Sequence, residues 1–459
     1  MCGIFGAVGD NAGVACEIVL GLFDLQHRGQ QACGVATSDG PNLNCHCQEG
    51  LVTEVFGEGG RDGLFKKLSG SFGIGHTLYS TIGRGGERKQ PKTFQPLVGN
   101  FHGQPFALGH NGNLIRLKAL RKEAKLLGYE FRSRASDTEV IVALLSTSKE
   151  TNFLEALKKV LPRLEGAFAL TILFGDKVIG VRDRNGIRPL CVGRNETGFF
   201  LASESCAFYT LGASFIREVQ PGEVIILGRG GIERSFLWSK NVQLKFCIFE
   251  LVYFARPDSY FCGRSVYSYR NNAGTILAGE QPVDADIVVP VPESGRIYDD
   301  SFAAALGLPV REGLFRNRHM SARTFLAPRH TNRLHLQRRK IHPLEDVVRG
   351  QKVCNTEDSI IRANVSPAII AMQREAGATQ VHLRVFSAPI RYPCFLGIDM
   401  ADKRELVAAH RTVEQIEKKI IFADSLGYLS LDGMVRATGL PKESLCLGCF
   451  TGEYPISPP

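Results

Sequence analysis

The chain has 459 residues, of which 44% are hydrophobic and 22% charged, and its 55 Lys plus Arg against 46 Asp plus Glu give a net charge of +9. This composition excludes a disordered chain, a collagen and a small disulfide-bonded scaffold, and the length allows two or three domains that each bury a core. No run approaches the ~18 apolar residues that span a bilayer. The apolar stretch 14–25 carries Glu17 and Asp24 and lacks a basic leader. We therefore expect a soluble, cytoplasmic protein whose 13 cysteines are mostly reduced.

The first half of the chain alternates short predicted strands with a few amphipathic helices. Apolar residues at helical spacing predict one helix ending near Leu25 and another over residues 153–164. The predicted strands are residues 4–8, 73–76, 106–110, 168–173 and 177–181. This order is typical of an antiparallel α+β layer structure.

From about residue 245 the pattern changes to short apolar strands separated by helices. The predicted strands are residues 287–289, a segment around Val353 and residues 381–385, and a helix is predicted over 366–376. Such an order favours a parallel α/β sheet. We place the boundary in the link 235–245, which gives domains of residues 2–240 and 245–459.

The amino terminus carries a candidate nucleophile. Met1 is followed by Cys2, and a small residue at position 2 allows the initiator methionine to be removed. Cys2 would then bear a free α-amino group, whose ordinary pKa of about 7.7–8.0 lets it act as the base for its own thiol. From position alone, an ordinary cysteine near a frayed terminus is the alternative.

The motif His110-Asn111-Gly112-Asn113 follows an apolar segment and is predicted to form a loop. An Asn side chain and a Gly backbone N–H are donors of the kind that stabilise the oxyanion in acyl transfer, where one donor contributes about 3 kcal/mol. Taken alone, the motif favours a simple turn over an oxyanion hole.

Four further motifs accompany these two. They are Gln26-His27-Arg28-Gly29-Gln30, Gly75-His76-Thr77-Leu78-Tyr79-Ser80-Thr81, Ser136-Asp137-Thr138-Glu139 and Arg182-Asp183-Arg184-Asn185-Gly186-Ile187-Arg188-Pro189. With them, the first half resembles the glutamine amidotransferase domain of the N-terminal-nucleophile hydrolases. The resemblance implies the following roles: Cys2 as nucleophile and base, Asn111 and Gly112 as the oxyanion hole, Asp137 as the ligand of the glutamine α-ammonium, and Arg28 and His76 as supports of the glutamine pocket.

The glutamine site departs from the family pattern at two positions. Leu78 stands where the family has an Arg that binds the glutamine α-carboxylate, and Gln31 replaces a usual acidic residue. Loss of a charge-assisted bond of about 1.5–3 kcal/mol would weaken glutamine binding roughly 10- to 150-fold. We expect impaired glutamine use unless Arg84 or another cation substitutes.

Three motifs in the second half extend the resemblance. They are the segment from Cys247 to Ser259, Pro290-Val291-Pro292-Glu293-Ser294-Gly295 and Gly427-Tyr428-Leu429-Ser430-Leu431. With these, the chain from Cys2 to about Pro455 resembles the amidophosphoribosyltransferase family, glutamine-dependent enzymes that open de novo purine synthesis. The resemblance implies an N-terminal αββα sandwich followed by a phosphoribosyltransferase-type parallel α/β domain with a C-terminal extension.

The same resemblance implies a site for 5-phosphoribosyl 1-pyrophosphate with Mg²⁺. Carboxylates suit Mg²⁺ and ribose hydroxyls, and a helix amino end suits phosphate. The matching positions are Glu357, Asp358 and Ser359 at the ribose, Arg362 to Ser366 at the 5′-phosphate, Arg316 at the phosphates, and Ser294, Glu357 and Asp358 at the metal.

This second site also departs from the family pattern. Glu357 replaces an Asp, and the phosphate loop reads Arg362-Ala363-Asn364-Val365-Ser366. Ala363 stands where a Gly belongs, which costs about 1 kcal/mol or more if the backbone needs a positive φ. The segment His319-Met320-Ser321-Ala322-Arg323 is one residue longer than the family pattern.

Cys247, Cys394, Cys446 and Cys449 are candidate metal ligands. Four thiolates that include a Cys-x₂-Cys pair suit either tetrahedral zinc or a [4Fe-4S] cluster, and plain buried cysteines are the third reading. One branch of the family carries a cluster on cysteines at these positions. The resemblance therefore implies a structural [4Fe-4S] cluster that joins distant segments of the chain.

Positive charge is concentrated in one segment. Residues 316–340 contain eight Lys or Arg and no Asp or Glu. Such a segment favours a small ligand with several phosphates, while a solvated loop and nucleic acid are the alternatives.

The resemblance thus implies a glutamine-dependent amidophosphoribosyltransferase activity, with purine nucleotides as inhibitors and a homodimer or homotetramer as the assembly. Neither nucleic acid nor membrane is expected as a partner. Leu78 and the altered loop motivate a rival, a non-catalytic or weakly active regulatory paralogue. A glutaminase that feeds ammonia to a sugar phosphate is a third reading, but such enzymes lack this set of cysteines.

Overall fold

The computed structural model describes residues 1–10, 13–57, 63–79, 94–133, 136–292, 296–317 and 340–459. In the first half, the strands are β1 (Gly3–Gly9), β2 (Ala32–Ser38), β3 (Leu43–Glu49), β4 (Phe72–Leu78), β5 (Leu97–Phe101), β6 (Gln104–Ile115), β7 (Glu165–Phe174), β8 (Lys177–Arg182), β9 (Cys191–Arg194), β10 (Gly198–Ala202), β11 (Ser214–Glu218), β12 (Glu223–Gly228) and β13 (Gly231–Leu237). The helices there are α1 (Val14–Asp24), α2 (Val52–Phe56), α3 (Leu64–Lys67), α4 (Lys118–Leu126), α5 (Thr138–Ser146) and α6 (Phe153–Val160).

These strands form two antiparallel sheets that lie face to face. Their orders are β11-β9-β10-β1-β4-β2-β3 and β13-β12-β8-β7-β6-β5. Because side chains alternate along a strand, one face of each sheet contributes to a shared apolar layer that includes Ile4, Ile74 and Ala169. Helix α1 covers the outer face of the first sheet, and α5 and α6 cover that of the second. The predicted αββα sandwich is confirmed.

The second half is built on a parallel sheet, as predicted. Its order is β17-β20-β21-β22, and all three pairings are parallel. The strands of this half are β14 (Phe246–Cys247), β15 (Tyr260–Phe261), β16 (Arg264–Ser265), β17 (Ile287–Pro290), β18 (Leu314–Arg316), β19 (Ile341–Pro343), β20 (Lys352–Glu357), β21 (Gln380–Val385), β22 (Ser425–Tyr428) and β23 (Leu445–Cys446). The helices are α7 (Val266–Glu280), α8 (Arg296–Leu306), α9 (Glu345–Val348), α10 (Ser366–Glu375), α11 (Val413–Ile416), α12 (Leu431–Thr438) and α13 (Gly448–Thr451).

Two local predictions were wrong. Asn111 and Gly112 belong to the long strand β6 and not to a loop, because β6 pairs with β7 through ten successive positions. A Cβ at Gly112 would lie 2.0 Å from the Ala167 carbonyl, so this glycine permits close strand pairing and does not mark a turn. The predicted link starting at residue 235 also begins too early, since β13 continues to Leu237.

Across the part of the chain that the structure describes, none of the helices combines the length and apolar character that a bilayer crossing requires.

Candidate active site and cysteine cluster

Cys2 lies at the start of β1, a central strand of the first sheet, with β4 on one side and β10 on the other. Its backbone N–H donates to Asn111 Oδ1 at 3.1 Å, and its Sγ lies 3.8 Å from the Tyr79 carbonyl. Burial raises the pKa of the Cys2 thiol. A buried thiol of this kind needs a base close by, and the nitrogen of the same residue would become one once Met1 is removed.

Asn111 presents a free donor beside this nucleophile. The residue is fully buried, and while its Oδ1 accepts from Cys2, its Nδ2 has no hydrogen-bond partner among the residues that the structure describes. A buried amide donor without a partner costs free energy unless a ligand oxygen binds it. The sequence prediction paired this donor with the Gly112 N–H, and the strand places the two residues in succession.

Met1 is held inside the protein. Its side chain is 1% exposed and lies in an apolar cluster with Ile115, Ile187 and Phe246, so it spans the contact between the two halves. Burial lowers the pKa of its α-ammonium to about 6. Removal of Met1 would therefore leave a space next to the new amino terminus, where a substrate side chain could enter.

Leu78 contacts the nucleophile directly. Cys2, Ala32 and Leu78 form one small apolar cluster, with Phe94 packed against it. Leu78 is 8% exposed at the end of β4. The residue that departs from the family pattern thus lies at the reacting sulfur, whereas Arg84, its possible substitute, lies outside the described residues.

Asp137 caps the amino end of α5, and its carboxylate is only partly committed there. Its Oδ1 accepts from the Thr138 N–H at 2.8 Å and its Oδ2 from the Leu114 N–H at 3.0 Å. The side chain keeps 20% of its surface exposed and lies 3.7 Å from the His110 ring. A carboxylate in this position can also bind an ammonium group.

His76 supports strand β6. Its Nε2 donates to the His110 carbonyl at 3.2 Å, while burial lowers the pKa of the ring to about 3. The ring is therefore neutral at physiological pH. Its contact with the residue before Asn111 supports the predicted role of His76 as a structural element of the pocket.

Arg28 lies behind the pocket in a fully buried ion-pair network. Its Nη2 donates to Glu250 at 2.7 Å and its Nε donates to Glu204. Burial disfavours the Glu204 carboxylate, but Arg28 and His27 outweigh this effect and hold its pKa well below the usual range. Because Glu204 belongs to the first half and Glu250 to the second, Arg28 joins the two halves beside the glutamine site.

The predicted phosphoribosyl site lies at the carboxyl end of β20, where ligands bind in open parallel sheets. Glu357 accepts from the Ser366 hydroxyl at 2.7 Å, which ties the end of the strand to the start of α10. Burial raises the pKa of Glu357 to about 8. Asp358 is buried next to it and accepts from the Ser359 hydroxyl at 2.6 Å.

The loop between β20 and α10 contains the unfavourable backbone conformation that its sequence predicts. Ala363 has a φ of +50°, in the left-handed region that favours glycine. Arg362 donates hydrogen bonds to the Glu405 carboxylate and forms an ion pair with it. Arg316 is exposed at the end of β18, whereas Ser294 and residues 318–339 of the basic segment lie outside the described residues.

The fold brings the four candidate cysteine ligands to one place. Strand β14 pairs in parallel with β23, so that Cys247 lies opposite Cys446. The Cys449 carbonyl accepts from the Arg391 and Tyr392 N–H groups, which draws in the segment that carries Cys394. Burial raises the pKa of Cys247 to about 11, with further contributions from Glu250 and Cys394. In the described ranges, no three Cys, His, Asp or Glu side chains are close enough to hold a single metal ion.

Arg188 lies next to these cysteines with donors to spare. It is fully buried, and one of its nitrogens contacts both Met1 Sδ and Glu250, but Nε and Nη2 have no partner within the described part of the chain. Burial opposes its charge, yet the neighbouring Cys247 and Glu250 side chains raise its pKa. A buried cation with unused donors fits an anionic group held by four thiolates.

Sequence analysis missed the roles of Glu204, Glu250 and Gln95. Gln95 accepts from the His110 N–H at 2.8 Å and donates to Thr138 at 3.1 Å, so it braces the glutamine pocket. Glu250 lies within the motif from Cys247 to Ser259, so the sequence contained a signal for this residue. Nothing in the local sequence singles out Glu204 or Gln95, because their partners are far away in the chain.

A hydrogen bond from strand β6 connects the candidate active site to the cysteine cluster. Asn113 Nδ2 donates to the Phe395 carbonyl at 2.7 Å. Asn113 follows the oxyanion motif and Phe395 follows Cys394, so the two predicted sites are in direct contact.

Comparison with known proteins identifies the family. A family model described as a glutamine amidotransferase domain matches residues 87–210. The amidophosphoribosyltransferase of Methanocaldococcus jannaschii is 43% identical over 99% of this chain and 98% of its own length, and that of Bacillus subtilis is 39% identical over 99% and 94%. The solved glutamine phosphoribosylpyrophosphate amidotransferase of B. subtilis, complexed with ADP and GMP, is 38% identical, with a TM-score of 0.90 over 99% of this chain and 98% of its own. The chain belongs to the amidophosphoribosyltransferase family.

Proposed function

We propose that this protein forms 5-phosphoribosylamine from glutamine and 5-phosphoribosyl 1-pyrophosphate, the reaction that opens de novo purine synthesis. The observation that carries the proposal is the pairing of Cys2 with Asn111, whose Oδ1 accepts from the Cys2 nitrogen while its Nδ2 is left without a partner by the described residues. Family membership over the full chain supports the same reaction. No finding favours the non-catalytic alternative.

In the first half-reaction, the Cys2 thiol passes its proton to its own α-amine, and Sγ attacks the carboxamide carbon of glutamine. Asn111 Nδ2 and the Gly112 N–H bind the oxyanion that develops. The protonated amine then donates its proton to the departing nitrogen, which leaves as ammonia. Water hydrolyses the remaining thioester to glutamate and restores the thiol.

Ammonia must next reach the second half without meeting bulk water, because protonation would remove its nucleophilic lone pair. Contacts that hold the halves together there include the ion pair of Arg28 with Glu250 and the hydrogen bond from Asn113 to Phe395. Ammonia then attacks C1 of the phosphoribosyl group and displaces pyrophosphate. Closure of the two halves is therefore part of the mechanism.

At the second site, Glu357 and Asp358 would hold Mg²⁺ together with Ser294. Mg²⁺ typically takes one or two protein carboxylates and completes its shell with substrate oxygens, and it neutralises the charge of the leaving pyrophosphate. The pKa of Glu357 is raised to about 8, which is consistent with a buried carboxyl group whose charged form a bound cation would stabilise. Arg316, Ser359, Arg362 and Ser366 would bind the phosphates and ribose.

The four cysteines Cys247, Cys394, Cys446 and Cys449 would hold a [4Fe-4S] cluster. The donor set fits, since a cube of four irons spreads its sulfur ligands more widely than a single ion does. The charge of Arg188 would offset that of the thiolates. When bound, the cluster would supply a structural link between β14, the Cys394 segment and the C-terminal region.

Regulation and assembly are also proposed on the basis of the relatives. The B. subtilis neighbour is complexed with ADP and GMP, which supports purine nucleotides as inhibitors of this protein. We also propose a homodimer or homotetramer and a cytoplasmic location, with no role for nucleic acid.

The test is to measure phosphoribosylamine formation by pure, cluster-loaded protein with glutamine and, separately, with ammonium. We expect both nitrogen sources to work in the wild type. A Cys2→Ala variant should lose only the glutamine reaction. Absence of both reactions in the wild type would reject the proposed enzyme activity.

A further inference from the structure

Two cysteines outside both sites form a close pair on an edge strand. Cys45 and Cys47 project from the same face of β3, the last strand of the first sheet, and their Sγ atoms are 3.6 Å apart. Cys45 is exposed and Cys47 is half-buried. Both thiols also approach the Pro96 carbonyl, at 3.8 and 3.7 Å.

The position of this pair depends on its neighbours. Cys47 pairs across the sheet with Gly34, and a Cβ at position 34 would lie 2.4 Å from Cys47 Sγ. Glycine at that position therefore leaves room for the thiol to lie over β2. The side chain between the two thiols, His46, faces the other way and packs edge-on against Phe56.

We propose that Cys45 and Cys47 are a reversible dithiol–disulfide pair whose oxidation by a low-molecular-weight disulfide acts on the glutamine pocket. The Cys45 thiolate attacks one sulfur of the small disulfide, whose S–S bond breaks and releases one thiolate. Cys47 then loses its proton to water and attacks the Cys45 sulfur, which expels the second small thiol. The chain loses two hydrogens, and the small disulfide is reduced to two thiols.

The division of roles follows from exposure and hydrogen bonding. Cys45 is the accessible sulfur, and the hydrogen bond with Cys47 lowers the pKa of its thiol, which favours the attacking thiolate. The same bond raises the pKa of Cys47, which suits the thiol that reacts second.

The resulting bond should be easily reduced. Residues two apart in a strand are separated by about 6.6–6.8 Å between Cα atoms, at the upper limit of disulfide geometry. Sγ atoms must close from 3.6 Å to about 2.0 Å. Strained, exposed disulfides have the potentials of labile, regulatory bonds.

The route to the pocket is short and runs through described contacts. Pro96, which both thiols touch, follows Gln95, and the Gln95 side chain bonds both the His110 N–H and Thr138. These two residues adjoin Asn111 and Asp137. This part of the proposal rests on the proposed function.

The chemical test uses cluster-loaded protein under anaerobic conditions in mixtures of oxidised and reduced glutathione. After denaturing alkylation, mass spectrometry should find the Cys45–Cys47 peptide unalkylated and lighter by two hydrogens, while exposed Cys16 remains alkylated or carries glutathione. In a Cys47→Ser variant, glutathione should accumulate on Cys45. The pairing is overturned if Cys45 and Cys47 stay alkylated in a mixture that modifies Cys16, or if wild-type Cys45 retains glutathione.

The functional test compares oxidised and reduced protein. Oxidation should change the KM for glutamine by about two- to thirtyfold, as for modest coupling between sites, and leave ammonia-dependent turnover unchanged. A Cys45→Ser variant should show no such change. An unaltered KM in protein with a proven disulfide would overturn the coupling, whereas inactivity of reduced wild type with either nitrogen source would reject the proposed function and leave the disulfide result standing.

Discussion

Arg28 and Glu250 form a fully buried ion pair between the two halves of the molecule, with 2.7 Å between Nη2 and Oε2. The other oxygen of Glu250 lies 3.2 Å from Arg188, so one carboxylate serves two buried guanidinium groups. Arg28 adjoins the glutamine site and Arg188 adjoins the cysteines. Glu250 therefore lies where the two predicted sites meet.

A Glu250→Gln substitution should destabilise the protein strongly. It leaves Arg28 and Arg188 buried with one charge fewer to pair with, and breaking such a pair costs about 3–5 kcal/mol. Denaturant unfolding should show a clearly lower midpoint. The matched control is Glu155→Gln, which removes a solvent-exposed carboxylate paired with the half-buried Lys158, and its midpoint should stay close to that of the wild type. Equal midpoints for both variants would contradict the role given to Glu250.

Leu78→Arg should improve glutamine use. Leu78 touches Cys2, so an arginine there could reach the α-carboxylate of a bound glutamine. A charge-assisted bond of this type should lower the KM for glutamine about 10- to 150-fold and leave the ammonia reaction unchanged. Leu78→Met, which keeps the apolar contact, is the control. An arginine variant with no lower KM than the methionine variant would mean that another group already binds the carboxylate.

His76 should make stability depend on pH in the acid range. Its pKa is about 3 in the fold, against an ordinary value of 6.5. Below pH 6.5 the unfolded chain binds a proton that the folded protein excludes, so the stability contributed by the neutral ring is complete above pH 6.5 and is lost as pH falls toward 3. Well below pH 6.5, the free energy of unfolding should fall by about 1.4 kcal/mol per pH unit more in wild type than in His76→Gln. Urea unfolding from pH 5 to 7.5 measures the difference, and parallel pH profiles would refute it.

Ala363→Gly should stabilise the phosphate loop. Ala363 has a φ of +50°, which costs a residue with a Cβ about 1–2 kcal/mol relative to glycine. The thermal midpoint of the Ala363→Gly variant should therefore rise. Ala376, with a φ of −79°, provides the comparison, because glycine there adds freedom to the unfolded chain, removes a buried methyl group and should lower the midpoint. A fall in both variants would show that the loop does not strain Ala363.

The layers of both halves could be predicted from the sequence because they depend on local periodicity. Apolar residues that repeat along α1 reveal its buried face within a few positions, and the short apolar run of β1 is typical of a strand buried on both faces. The oxyanion strand was mistaken for a loop because Asn and Gly are turn formers, and only pairing with β7, more than fifty residues away, overrides that preference.

The candidate nucleophile Cys2 and its predicted oxyanion donor could be proposed from motifs, but the charges around them could not. Glu204 and Glu250 lie 176 and 222 residues from the Arg28 that they pair with. Buried ion pairs of this kind have no spacing rule in the sequence, since tertiary contacts alone bring them together. The same holds for Cys45 and Cys47, whose Cys-x-Cys spacing gains meaning from the exposed edge strand that carries them.

The most direct test of the account is intact and peptide mass spectrometry of active protein after reaction with a glutamine analogue that carries an electrophilic carbon in place of the amide. We predict that the chain begins at Cys2 with a free α-amine, and that the analogue is bound to the Cys2 sulfur with complete loss of glutamine-dependent turnover. Active protein that retains Met1, or an inactivating adduct on any other residue, would contradict the account.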